Sequence, residues 1–414
     1  MGLANYISNA KKNELFVASF IIIILTFLAN IFSYLFQFFM ARMLGPSDYV
    51  VVAIITSITG LFAIPTLAIQ TVISKKTTEL KVKKEDGKII GLMKSSLKKM
   101  FYLGLICFIL YSLVSLFLAR ILEINYVYLF LGGFFIFGAF IYPILAGIIQ
   151  GLKKFKELGW NFLVNCIIKF IVAVLLVYIG FRIYGAIIGF LSGIILASIV
   201  LFYNIKSMGK TKVERFDIRI FSEDNFYFVC AMIIIVLIYS LDVIFAKIFF
   251  SAEIAGRYSV ISLIGKMILF VVSSVGTAMF PINTERFVKG GSTNSVFRKA
   301  IILSLIVCFG ALTFFFIFPH FIINLLFGSD YASLSNLLIY LGIAFSFCSL
   351  LYILILHNIS INKIKILHIL GLALFLAIEV LFFTLFHSTI EQFAIGFMIS
   401  NIIAFLGGYF ILRK

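Results

Sequence analysis

Twelve apolar runs, each long enough to cross a bilayer as a helix, leave this chain few ways to fold. They fall at 15–41, 49–73, 100–119, 127–148, 160–180, 184–204, 225–250, 257–283, 300–321, 334–356, 366–386 and 393–412. About 20 helical residues, rising ~1.5 Å each, span the hydrocarbon core. In that medium every backbone N–H and C=O must be paired within the protein. Only 12% of the residues are charged, against ~25% in soluble domains. The chain therefore reads as an all-α integral membrane protein with twelve transmembrane helices. The first run, Leu15–Ala41, is far longer than a signal-peptide core of ~7–15 residues, and it reads as a retained helix.

A formal charge of +17 could point to nucleic acid, but the placement of the basic residues excludes that partner. Of the 34 Lys and Arg residues, 27 lie in the two tails and every second loop. The intervening loops hold only Arg42, Arg120, Arg182 and Arg257, and Lys169, Lys247 and Lys266 fall inside spans. This is the positive-inside pattern, and it predicts both termini in the cytoplasm.

Two connections are long, Lys75–Lys99 and Ile205–Asp224, both on the cytoplasmic side. The first reads either as an amphipathic helix on anionic lipid or as a solvated topology determinant. The second divides the spans six and six, predicting lobes at 1–210 and 211–414. A shift of 209 residues brings Tyr49 onto Tyr258 and Gln150–Phe155 onto Ile359–Ile364. An even number of spans per half makes the repeats parallel.

Asp242 and Lys266 stand out within this frame. They lie on the arms of one hairpin whose tip is near Ser251–Gly256. Nine and ten residues from the tip correspond to ~13–15 Å below the same surface. A charge at that depth costs at least ~2.5–3.5 kcal/mol, so the two are expected to face each other or a polar cavity. Further polar stripes occur at helical spacing: Thr26, Asn30, Ser33 and Gln37; Asn161, Asn165 and Lys169; Ser259, Ser262, Lys266, Ser273 and Thr277; and His368 with Glu379. Ser, Thr and Asn also glue membrane helices together at ~0.6 kcal/mol per bond, and that reading stays open beside a functional one. For Lys169, Asp242, Lys266 and Glu379 the functional reading is preferred, because a structural ion pair stabilises poorly once desolvation is counted. Lys247, near the outer end of its span, can snorkel.

No GxxxxGK[ST] or HExxH motif occurs, so the chain is not read as its own ATPase or as a metalloprotease, and no cofactor is expected. The five cysteines lie in five separate spans with no CxxC spacing, so neither a disulfide framework nor a metal knuckle is visible. The outer loops are all short, which argues against a membrane glycan polymerase or ligase.

Four segments carry a resemblance. They are Arg42-Met-Leu-Gly45-Pro46-Ser-Asp48-Tyr49, Ile148-Ile-Gln150-Gly151-Leu-Lys-Lys-Phe155, Ala252-Glu253-Ile-Ala-Gly256-Arg-Tyr258 preceded by Asp242, and Leu325-Leu-Phe327-Gly328-Ser-Asp-Tyr331. Together they resemble the polysaccharide-biosynthesis branch of the multidrug/oligosaccharidyl-lipid/polysaccharide (MOP) exporter superfamily, the O-antigen (Wzx-type) flippases. The resemblance implies a MATE-like pair of six-helix lobes. It further implies alternating access that turns a polyprenyl-diphosphate-linked oligosaccharide from the cytoplasmic to the outer leaflet, alongside other polysaccharide-assembly proteins. Lipid II flippases usually have two more spans, which makes a peptidoglycan precursor the less favoured substrate.

Within that expectation Lys169 and Lys266 supply positive charge for the diphosphate, while Asn161, Asn165, Asn30 and Gln37 bind sugars. Asp242 or Glu379 couples transport to a proton or sodium ion. Arg42, Gly45, Pro46, Gln150, Gly151, Gly256, Gly328 and Tyr331 match the family's turn residues and are read as structural. A cation-coupled multidrug extruder of the same superfamily is the alternative. Three embedded lysines against two carboxylates favour an anionic substrate over it.

Overall fold

The structure, a computed structural model, describes residues 14–206, 214, 216, 226–361 and 363–413. Among them the helices are α1 (Glu14–Leu44), α2 (Pro46–Gly60), α3 (Ala63–Val82), α4 (Asp86–Ile121), α5 (Tyr126–Gly133), α6 (Phe135–Gly151), α7 (Phe155–Leu176) and α8 (Arg182–Lys206). After these come α9 (Phe226–Phe249), α10 (Ala252–Val288), α11 (Asn294–Ile317), α12 (Pro319–Phe327), α13 (Leu337–Ser360), α14 (Ile366–Leu385) and α15 (Ile390–Arg413). Ten stretches are long and apolar enough to cross a membrane. One of them, the 52 residues Phe155–Lys206, folds back through a π-turn at Gly180, whose φ is 106°, and so supplies two. Among the described residues α2 is a further apolar helix, at 15 residues shorter than these.

The chain forms two compact units, Met1–Met43 with Phe62–Ser222, and Leu44–Leu61 with Glu223–Lys414. The division differs from lobes at 1–210 and 211–414 in its boundary, at 222/223, and in that the segment holding α2 belongs with the C-terminal helices. The physical reason is local. Gly45, at φ 75°, turns the chain, and Pro46 starts α2 at a position where its missing N–H costs nothing. The carbonyl of Pro46 then rests on Gly256 of α10, where a Cβ would stand 1.9 Å from it.

In the first unit, α6 lies backbone-to-backbone on α3. A Cβ at Gly147 or Gly151 would come within 2.7 Å of Gln70 O or 2.5 Å of Ser74 O. The Gln70 amide donates to Gln150 Oε1 at 2.9 Å, and the Thr78 hydroxyl donates to the Gly151 carbonyl at 3.0 Å. The Gln150–Gly151 pair therefore acts as a helix-packing knuckle. Around it Ile69, Ile73, Met93, Ile144, Ile148 and Leu201 form the apolar core.

The stretch 75–99 is the tips of α3 and α4, which run on as a helical hairpin that turns at Lys84. Neither a separate in-plane helix nor a loop forms there. Lys76, 2.7 Å from Glu79, holds that exposed carboxyl below its usual range. Most of the second long connection lies outside the described residues. Its Glu214 N–H donates to the Gly87 carbonyl, and the Ser95 hydroxyl donates to the Phe216 carbonyl at 2.7 Å.

In the second unit α13 is the central helix, with 72% of its span window buried. Gly265 and Gly276 of α10 let Phe345 and Leu356 of α13 close in. At one end Tyr49, Tyr258 and Tyr331 are almost fully buried. Gly328, at φ 98°, ends α12 before a short 3-10 turn, and Arg257 donates to the Asp330 carbonyl at 2.9 Å.

Candidate functional site

Two lysines sit deep in apolar helices in different chemistry, Lys266 buried in the second unit and Lys169 half-buried in the first, while Lys247, expected to snorkel, is buried on α9. In the second unit, Tyr258, Ser262 and Lys266 recur every four residues along α10 and therefore share a face. Asp242 of α9, wholly buried, meets that face. Lys266 Nζ stands 3.1 Å from Asp242 Oδ1, and the Ser262 hydroxyl donates to Asp242 Oδ2. Both oxygens of the carboxylate are thereby engaged. The Phe345 ring of α13 lies 5.5 Å from the ammonium.

Glu379 completes the group. The buried positions on α14 are Leu372, Phe375, Glu379 and Phe383, one stripe of a helix, so its carboxyl points into the unit. Among the described residues its Oε1 is buried with no hydrogen-bond partner, and the buried Tyr258 hydroxyl lies within reach of Asp242. Asp242 and Lys266 are the charges close enough to act on Glu379, and Tyr258 and Cys348 lie within the same electrostatic reach. His368, placed on the same side of that helix by its spacing, instead caps the helix start by accepting from the Lys365 N–H at 2.9 Å.

In the first unit, Lys169 of α7 donates to the Ser33 hydroxyl of α1 at 2.7 Å. Its ammonium sits 5.1 Å from the Phe36 ring and 5.7 Å from the Phe190 ring. Among the described residues no carboxylate acts on it. Asn165, one turn earlier, is half-buried, and Asn161 is buried with its amide donating to the Ala197 carbonyl at 3.0 Å. Asn30 is exposed and Gln37 half-buried on α1. Asn161 thus spends its donor on holding α8, whereas Asn30 and Asn165 keep accessible polar surface.

Lys266 was expected as positive charge for a diphosphate, and the structure gives it a different setting. It is nearly buried, and its charge is matched by Asp242.

A feature that polar-stripe reading overlooks supports Lys169. Gly185, Gly189 and Gly193 of α8 recur every four residues, with Ala197 next. A Cβ at Gly193 would meet the Asn165 carbonyl at 2.5 Å and Lys169 Cβ at 3.0 Å, and one at Gly189 would meet Ala173 Cβ at 2.4 Å. Small residues at this spacing let membrane helices touch backbone to backbone. Here they bring α8 against the face bearing Asn161, Asn165 and Lys169. The signal was present as a run of Gly-x-x-x-Gly.

Residues 17–287 match the family described as polysaccharide biosynthesis protein. The chain belongs to that family. Among solved structures it is similar to an inward-facing multidrug resistance MATE family transporter of the MOP superfamily, at TM-score 0.73 and 14% identity over 93% of this chain and 94% of that one. It is also similar to the lipid II flippase MurJ, at TM-score 0.67 and 15% identity over 95% and 87%. A MOP superfamily transporter from Pyrococcus furiosus gives TM-score 0.64 and 14% identity over 95% and 93%. No curated protein matches in sequence. At these identities the solved structures establish the fold, an all-α multi-pass membrane architecture of the MATE-like kind. The fold is the one seen in those transporters and in that flippase.

Proposed function

We propose that this chain flips a polyprenyl-diphosphate-linked oligosaccharide from the cytoplasmic to the outer leaflet of the cytoplasmic membrane by alternating access, for surface polysaccharide assembly. Both termini lie in the cytoplasm on this reading, as the alternation of basic loops requires. The polyprenyl tail stays in membrane lipid. The head group is what needs a protein, since each unpaired polar group carried through hydrocarbon costs several kcal/mol.

The observation that supports this reading most is the state of Lys169. Its ammonium is parked on one hydroxyl and two rings. Those contacts are worth about 0.5–2 kcal/mol each. A phosphate oxygen offers a charge-assisted bond of ~1.5–3 kcal/mol, so a diphosphate can draw the lysine away from them. Taking Lys266 from Asp242 instead would strand a buried carboxylate at about 3–5 kcal/mol. Lys169 is therefore the phosphate-binding residue in this proposal. Asn165, Asn30 and Gln37 bind sugar hydroxyls beside it, and Asn161 mainly keeps α8 in place. Lys266 belongs with Asp242 and Glu379 to the ion-coupling group.

The test is complementation. In the natural host lacking this protein, Lys169→Ala at matched expression is expected to abolish surface glycan and to leave lipid-linked glycan on the inner leaflet. Wild-type display by that variant would refute the assignment.

A further inference from the structure

The buried cluster of the second unit holds two carboxylates and one ammonium, and its charges do not cancel. Asp242, Glu379 and Lys266 sum to one net negative charge, in a site that also holds the Phe345 ring and Cys348. A buried uncompensated charge costs several kcal/mol. Either a cation or a proton must complete the site.

The oxygen donors gathered here are Asp242, Ser262, Tyr258 and Glu379, the kind of set that hard cations favour. The position against Asp242 is already filled. Lys266 takes one carboxylate oxygen and the Ser262 hydroxyl the other. Among the described residues Glu379 Oε1 is buried without a hydrogen-bond partner. From the neighbouring α15 the rings of Phe393 and Phe397 stack around Phe383 at 4.7 and 5.8 Å, and Ser400 and Asn401 are buried one turn further on. From α9 and α10 come Asp242, Lys266 and Tyr258, and from α13 Cys348.

We propose that Lys266 is a built-in cation, occupying on Asp242 the seat an alkali ion would take, and that the exchangeable ion of this transporter is a proton carried by Glu379. The proposal rests on the transporter reading for its consequence, coupling by protons and not by sodium. Its structural content stands on the cluster alone. One covalent attachment in α10 replaces a diffusible ion, so Asp242 stays neutralised through the cycle. The proton joins and leaves Glu379 without breaking the Asp242–Lys266 pair, and the cluster alternates between zero and one negative charge.

The experiment uses purified full-length protein in detergent, melted in sodium chloride and in choline chloride at equal ionic strength. The wild type is expected to melt at the same temperature in both. Lys266→Met vacates the seat and is expected to gain a saturable, sodium-specific rise of several degrees, which Asp242→Asn in the same chain removes. Infrared spectra across a pH titration should show a protonated-carboxyl band that Glu379→Gln lacks and Asp242→Asn retains.

A sodium-dependent rise in the wild type that disappears in Asp242→Asn would overturn the proposal. So would a folded Lys266→Met without a sodium response, or a carboxyl band that follows Asp242. Should Lys266→Met fail to fold, the wild-type melts and the Glu379→Gln spectrum still decide. None of these measurements involves glycan, so a chain that flipped no oligosaccharide would leave them standing, whereas Lys169→Ala tests flipping without touching this cluster.

Discussion

Lys169 and Lys266 are each sunk in a long apolar helix, in different units, yet their partners are opposite in kind. Lys266 faces a carboxylate whose second oxygen is held by Ser262, and its ammonium is satisfied. Lys169 faces a hydroxyl and two aromatic rings, and among the described residues its charge has no anion beside it. Desolvating an ammonium costs several kcal/mol. A matched pair recovers part of that in every state of the protein. An unmatched lysine recovers it only when an anion arrives. The first arrangement suits a permanent fixture and the second a binding residue, although sequence hydropathy treats the two lysines alike.

The largest effect that could break this comparison concerns stability. Lys266→Met should lose about 3–5 kcal/mol, because it leaves Asp242 buried without its partner. Adding Asp242→Asn should return most of the loss. Lys169→Met should change stability little, since no buried anion is stranded. Thermal melts of the purified variants check this, and an equal loss for the two lysines would erase the distinction. Function should rank the other way. Lys169→Ala should lower glycan display at least tenfold, as expected from a charge-assisted bond of ~1.5–3 kcal/mol. The double variant Asp242→Asn with Lys266→Met keeps Glu379 and should retain display, read as surface glycan per folded protein.

A smaller effect tests how Lys169 is held. Gly193→Ala would drive a methyl group towards the Asn165 carbonyl and Lys169 Cβ. Overpacking of this kind costs about 1–3 kcal/mol. Lower stability and lower display together are expected, measured by melting and by surface glycan. Unchanged values for both would mean that α8 yields easily and does not fix the lysine.

The sequence carried the long crossings plainly, because the bilayer imposes one length on all of them. It also carried the Asp242–Lys266 encounter, since depth can be counted from a hairpin tip. What it could not carry were contacts fixed by distant backbone. The seat of Pro46 on Gly256, which draws α2 to the C-terminal helices, joins residues far apart in the chain through atoms common to every residue. Helical spacing placed Lys169 on a polar face but could not say that Ser33, Phe36 and Phe190 would meet it, because periodicity gives direction and not partner. Gly185, Gly189 and Gly193 escaped notice for a simpler reason. A search for polar stripes passes over residues whose contribution is the absence of a side chain.

The smallest expected effect is the sharpest on the meaning of Lys169. Ser33 is its hydrogen-bond partner among the described residues. If that hydroxyl were part of a structural lock, Ser33→Ala would cost ~0.5–1.5 kcal/mol of stability and would impair display in proportion. If the hydroxyl merely parks the ammonium between substrates, the cost falls on the empty site alone. Removing it then makes Lys169 easier to draw onto a phosphate, so display should hold at wild-type level or rise while the melting temperature drops slightly. The two quantities are predicted to move independently for Ser33→Ala but together for Gly193→Ala. That contrast separates a residue that waits with the lysine from one that shapes the helix beneath it.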